Sequence, residues 1–479
     1  MDVSLLLITL LAGALATYFS PEKIARQVAL LTSLVAFVII GFLLSKYQSD
    51  VSIDFAKQWI SKPNIWFYLK ADGLSLALTL LTVSVTPLVI FSSFGNSFAN
   101  KKTLYALILF MAFAMSGTFL AADGFLYYIF WELSLIPIYF IGLLWSNQEM
   151  KIRKQTMLRF FIYTFAGSLF MLVAFIFLYQ KAGSFLLEDL YNLRLNSNEQ
   201  YWVFLALFLA YAIKIPLVPF HSWQADTYQA NPTIGTMLLS GVMLKMALFS
   251  IIRWQIPIAP NTAIEYKNVL IVLSIFGVIY GSILALKQDN LKKLFAYSSL
   301  AHVGLIAAGI YTLTLDGFRG AVLQMLAHGF VIVGLFFASE VIERRYQTQK
   351  ISEMGGIRSQ AIWFSSVFMI LVVASVGLPG TFNFVGEFTL LYSLSQINIW
   401  FAIFGGLTII LGAFYMLKMF QQTMLGQTNA KIFSDINAQE KIVFVIIVIV
   451  LIFFGLYPKP LNDLIVPALE ETLRNISKN

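Results

Sequence analysis

The sequence predicts an all-α integral membrane protein of about fourteen transmembrane helices, two of them broken near the middle of the bilayer. Three observations predict this class. Apolar residues make up 59% and charged residues 12% of the 479-residue chain, and the mean hydropathy is +0.79, far outside soluble globular composition. Apolar runs of about twenty residues, the length a helix needs to cross a hydrocarbon core, recur from one end to the other. Two of these runs are interrupted by proline or glycine and keep an ionisable side chain beside the interruption. The chain has no cysteine, which excludes disulfides, thiolate metal sites and cysteine nucleophiles. The net charge of +8 lies in short loops between apolar runs, so it reads as membrane orientation and not as a nucleic-acid surface.

In order, spans are predicted at 3–19, 28–45, 72–94, 103–121, 124–145, 157–180, 201–222, 232–252, 268–286, 294–312, 318–341, 361–395, 400–422 and 441–457. The first has Asp2 and no basic residue ahead of it, the pattern of a retained helix and not of a cleaved signal peptide. Basic clusters such as Lys101-Lys102, Lys151 to Lys154, Lys292-Lys293 and Arg344-Arg345 fall in alternate loops, and the opposite loops carry fewer, among them Lys46, Lys181 and Arg253. The positive-inside rule then places the clustered side in the cytoplasm and both termini outside, as expected of a bacterial inner-membrane protein. The longest loop, 45–69, has room for a short hairpin or surface helix at most. The tail, 458–479, spaces Leu461, Leu464, Ile465, Leu469 and Leu473 as a helix lying on the membrane surface does.

The first break falls in 210–228, AYAIKIPLVPFHSWQADTY. Lys214 in an apolar run costs about 2.5–3.5 kcal/mol on insertion scales. Pro216 and Pro219 each remove a backbone donor, and the freed carbonyls survive at membrane depth only inside protein or against a wet cavity. The second break, Gly377-Leu378-Pro379-Gly380, precedes Glu387 within the run 361–395. It lies five spans after the first, and an odd offset reverses direction across the membrane, the pattern of an inverted-repeat transporter.

Glu132, Lys214, Lys245, His302, His328 and Glu387 are ionisable residues that stand inside apolar runs. Groups of these types on consecutive helices can pass a proton in short hops with intervening waters. Each has a second reading. Glu132 and Lys214 also fit a static ion pair that fixes helix packing. Lys245 lies mid-span with Gly241 one turn away, which favours a wet relay site over snorkelling. His302 and His328 fit relay stations and neutral packing histidines equally. His221 follows Lys214 by seven positions, but the intervening prolines remove the helical geometry that would align them. Trp131, Trp202 and Trp223 read as packing or interfacial-belt residues. Three histidines dispersed over different spans argue against a metal site, and no Rossmann or P-loop fingerprint is present.

Taken together, these residues resemble the antiporter-like, proton-translocating membrane subunits of respiratory NADH:quinone oxidoreductase (complex I) and of multi-subunit cation/proton antiporters. The matching stretches are Asp72 to Ser75, Phe130-Trp131-Glu132 through Pro137, Lys214-Ile215-Pro216 with Pro219 to Trp223, Leu244-Lys245, Asn290 to Lys293 with Ala296 to Ser299, Gly355-Gly356, and Gly377 to Gly380 through Phe388. They run from the third span to the twelfth in the family's order.

The resemblance implies a fourteen-helix fold with two inverted five-helix halves: helices 1–3 over 1–102, a first half over 103–252, a second over 268–422, and a last span and tail over 423–479. It also implies roles, with Glu132 coupled to Lys214, Lys214 and Lys245 as central relay lysines, His302 and His328 as further stations, and Glu387 as the terminal exchange site. Sister subunits usually carry lysine at that last position, so Glu387 also marks a subtype. No cofactor is expected in this chain; FMN, iron–sulfur clusters and quinone would lie in other subunits. The expected partners are the bilayer and neighbouring membrane subunits, including sister antiporter-like ones. A subunit of a sodium/proton antiporter complex, and a scaffold with static ion pairs, are the competing readings. The chain departs from the family where W-L-P-D-A-H is common and it reads Trp223-Gln224-Ala225-Asp226-Thr227-Tyr228, and at Gly124, where leucine is common after the aspartate.

Overall fold

A computed structural model describes residues 2–49, 51–427 and 432–478; residues 1, 50, 428–431 and 479, which fall in the predicted segments 1–102 and 423–479, lie outside it. Among the described residues, eleven helices are long and apolar enough to cross a membrane. The other three predicted spans are the short helix Ser4–Phe19 and the two broken runs.

The helices extend past the predicted spans because hydropathy marks the hydrocarbon thickness, whereas caps decide where the backbone starts. At Asn196 a capping box starts the Ser197–Lys214 helix: the Asn196 side chain accepts from the Glu199 amide at 3.0 Å, and the Glu199 carboxylate accepts from the Asn196 amide at 3.0 Å. The helix predicted at 268–286 runs over Pro260–Leu286, with proline tolerated in its first turn.

Two helices, Thr233–Ile258 and Leu315–Tyr346, have their apolar stretches wholly buried inside the bundle. A helix that is apolar all round belongs in such a place. They cross where Gly241 and Gly329 meet: a Cβ on Gly329 would lie 3.0 Å from the Gly241 carbonyl oxygen and 2.8 Å from Leu81. Gly329→Ala should therefore separate the two helices by a few tenths of an ångström and destabilise the protein by about 1–3 kcal/mol. A lower thermal transition of the purified protein checks this.

The 45–69 loop forms the expected hairpin, Phe55–Ile60 paired antiparallel with Ile65–Leu69. Asp123 anchors it, accepting from the Trp66 amide while capping Phe125 and Leu126, all at 3.0 Å. The tail forms the expected amphipathic helix, and its apolar face lies on protein. The Lys459–Lys478 helix buries Leu461, Leu464, Ile465 and Leu469 against protein, packing on Gly73–Ser92 and Leu315–Tyr346 as a strap. Its apolar face has protein to cover it, so lipid is not needed. Arg253, expected in a loop, sits in the end of Thr233–Ile258 and forms a buried ion pair with Asp72 at 2.5 Å. That pair ties the central helix to the start of the third predicted span.

Candidate functional site: a buried chain of ionisable residues

At the first break the helix ends on Lys214. Pro216 has no N–H for the Ala212 carbonyl, and the Leu217 amide donates to it instead at 2.8 Å. That diversion frees the Ile213 carbonyl, which accepts from the Trp223 indole N–H at 2.9 Å. Trp223 thus closes the break from inside, packed on Phe160 and 1% exposed. Trp223→Phe leaves a buried carbonyl unpaired and should destabilise the protein by about 1–3 kcal/mol, read as a lower thermal transition of the purified protein.

At the second break the helices are Ile362–Ser375 and Phe382–Ile397. Gly377, at φ +77°, and Gly380, at φ +91°, take the backbone through conformations that side chains disfavour. Glu387 Oε2 packs against Gly377, leaving no room there for a Cβ. The carboxylate therefore lies beside the break, 1% exposed.

Four of the six predicted residues form one continuous chain. Lys245 Nζ lies 2.9 Å from Nδ1 of His328 and donates to the Ser240 carbonyl at 2.5 Å. That carbonyl belongs to a widened π-helical turn, Leu239–Met243, a distortion frequent at functional sites. The rings of His328 and His302 have centroids 5.5 Å apart, and His302 Nδ1 lies 3.0 Å from Glu387 Oε1. Every member is at least 96% buried. The chain crosses four helical elements, which burial on this scale permits only because the groups face one another.

The other two predicted residues sit apart. Lys214 is 1% exposed and its Nζ has no protein hydrogen-bond partner; Glu132 Oε1 is buried and also without one. No ion pair within 4.0 Å joins them among the described residues. The static pair is not formed here. His221 faces Tyr280, with ring centroids 5.1 Å apart, and does not approach the buried chain. Of the three tryptophans expected to pack or line the belt, Trp202 is exposed, whereas Trp131 and Trp223 are buried at the first break.

Other participants escaped the sequence reading. Gln324 Nε2 donates to Glu387 Oε1 at 3.1 Å, and Asn383 is fully buried with no protein partner for its amide. Gln324 lies one helical turn before His328, and Asn383 one turn before Glu387. A polar residue four positions from a buried ionisable one is the signal that could have found them. At the basic end of the bundle, a cavity of about 960 Å³ is lined by Asn96, Asn231, Lys292, Glu340, Glu343 and Arg344. Glu340 is buried there, accepting from the Asn96 amide, and shares its helix with His328.

Comparisons with known proteins settle the family. Residues 121–412 match the sequence model of the NADH:quinone oxidoreductase/Mrp antiporter transmembrane family. The chain belongs to that family. It is 34% identical to NADH-quinone oxidoreductase subunit M of Rickettsia prowazekii, over 94% of this chain and 93% of that one. It is 31% identical to NADH-ubiquinone oxidoreductase chain 4 of Marchantia polymorpha, over 96% and 94%. The subtype that Glu387, its NFVGEF surroundings and the length point to is this M, or chain 4, group. A chain of respiratory complex I from Thermus thermophilus with bound NADH superposes with a TM-score of 0.92, 26% identity and 99% coverage of both chains. A chain of the Mrp complex from Dietzia sp. superposes at 0.84 with 19% identity, covering 99% of this chain and 52% of that one, which extends the fold alone to antiporters.

Proposed function

We propose that this chain is the proton-translocating M subunit of an NADH:quinone oxidoreductase, with the chain from Lys245 to Glu387 as its proton path. The observation that carries the proposal is the unbroken contact Lys245–His328–His302–Glu387 across the core. Glu132 and Lys214 form its input side, with Lys214 switching between charged and neutral forms as Glu132 approaches or withdraws. Gln324 and Asn383 hold the Glu387 carboxylate and the waters that reach it. The 103–252 and 268–422 halves, each with one broken helix, run in opposite senses and place the two breaks toward opposite faces.

Electron transfer from NADH to quinone takes place in other subunits, which carry FMN and iron–sulfur clusters, and sister antiporter-like subunits flank this one in the bilayer. The clustered Lys and Arg residues put the Lys292–Glu343 cavity in the cytoplasm and both termini outside, in a bacterial inner membrane. Identity to M subunits over nearly the whole chain favours this over the sodium/proton antiporter reading.

The test is Lys214→Ala in membranes, comparing complex assembly, NADH-driven quinone reduction and proton uptake into inverted vesicles. Normal assembly with quinone reduction and uptake both lost is expected. Normal assembly with unchanged uptake would reject Lys214 as a relay member.

A further inference from the structure

Lys214 is poorly accommodated: its Nζ has no protein hydrogen-bond partner, and it is 1% exposed. An ammonium left so in a low-dielectric interior is strongly disfavoured unless something else faces it. What faces it is the ring of Trp131, whose centroid lies 5.1 Å from Nζ. That is within the reach of a cation–π interaction, and tryptophan offers the strongest such face among the side chains.

The ring is fixed in place. Trp131 is 1% exposed and lodged between Tyr127 and Tyr211, with ring centroids 5.8 and 5.7 Å away. Its Nε1 has no protein partner, so hydrogen bonding does not account for its orientation. Tyr127 is held in turn by Ser250, its hydroxyl 2.5 Å from Oγ, and Tyr211 shares the Ser197–Lys214 helix with the lysine. Trp131 also immediately precedes Glu132 on the Gly124–Leu133 helix. One short segment therefore presents the lysine with two alternative seats, the aromatic face it lies over here and the neighbouring carboxylate.

We propose that Trp131 is a positioning residue of the relay, its indole face holding the charged form of Lys214 whenever Glu132 has released it. The inference rests on Lys214 being a relay member. It assigns to an aromatic side chain the state in which the lysine is loaded but not paired. Without such a seat, release by Glu132 would coincide with loss of the proton from Lys214; with it, the two events are separate steps, and the charge can be kept until the path toward Lys245 is ready.

The test replaces Trp131 site-specifically with mono-, di-, tri- and tetrafluorotryptophan in the assembled complex. Fluorine withdraws electron density from the ring face with little change of shape. The indole N–H, which fluorination also makes more acidic, has no protein partner here through which that change could act. NADH-driven proton uptake into inverted vesicles should fall stepwise along the series, by about tenfold from tryptophan to tetrafluorotryptophan, at constant complex content. Trp131→Phe, which keeps a weaker face, should fall inside that range. Lys214→Ala is measured alongside. A flat fluorination series with uptake lost in Lys214→Ala would overturn the role of Trp131 and leave the relay standing. Uptake unchanged in Lys214→Ala would overturn both.

Discussion

Glu387→Gln should lower NADH-driven proton uptake about a hundredfold while the complex assembles normally. The substitution keeps the shape of a side chain that is 1% exposed and pressed against Gly377, so the second break keeps its geometry. The amide oxygen can still accept from Gln324. What disappears is the carboxylate able to take a proton from His302, 3.0 Å away. Removing a positioned proton acceptor typically costs 10²-fold or more. Quenching of a pH-sensitive dye in inverted vesicles, normalised to assembled complex, reads the effect. Uptake within twofold of wild type would show that Glu387 only fills space.

Lys245→Met is the second large effect, and here the two readings predict opposite signs. Methionine fills nearly the same volume as lysine and suits an apolar core. If Lys245 were a packing residue, burying methionine in place of an ammonium would leave activity intact and raise stability, as replacement of buried charges by apolar groups often does. If Lys245 passes protons, the variant loses the 2.9 Å contact to His328, and quinone reduction and proton uptake should fall together by about 10²-fold. The Ser240 carbonyl loses its lysine donor too, a smaller effect on the π-helical turn. Activity and thermal stability measured on one preparation separate the outcomes.

Much of the architecture was legible because the bilayer is a severe solvent. A lysine, a histidine or a glutamate in an apolar run has few explanations, and Lys245, His302, His328 and Glu387 each stand out in the sequence alone. Their mutual contact was not legible. It depends on helices Thr233–Ile258 and Leu315–Tyr346 crossing at Gly241 and Gly329, and only the first glycine drew attention. Residues that are polar but uncharged escaped: Gln324 and Asn383 cost less in a membrane than an ion does, so their burial looked ordinary.

The contact of Trp131 with Lys214 was hidden for a related reason. An aromatic in an apolar run is unremarkable until the structure puts an unpartnered ammonium over its face. What covers the tail was not legible, because an amphipathic pattern states that one face is covered, not by what. The Asp72–Arg253 pair was hidden because its partners are far apart in sequence, Asp72 at the first position of one predicted span and Arg253 just beyond the end of another.

The central claim is that Lys245, His328, His302 and Glu387 are one path. The measurement that tests it most directly is a double-mutant cycle between His328→Gln and Glu387→Gln, with proton uptake per assembled complex as the readout. Stations in series act as a unit, so the double variant should pump about as slowly as the slower single one. Effects that multiply, each substitution retaining its full cost in the presence of the other, would mean independent contributions and would contradict a single path.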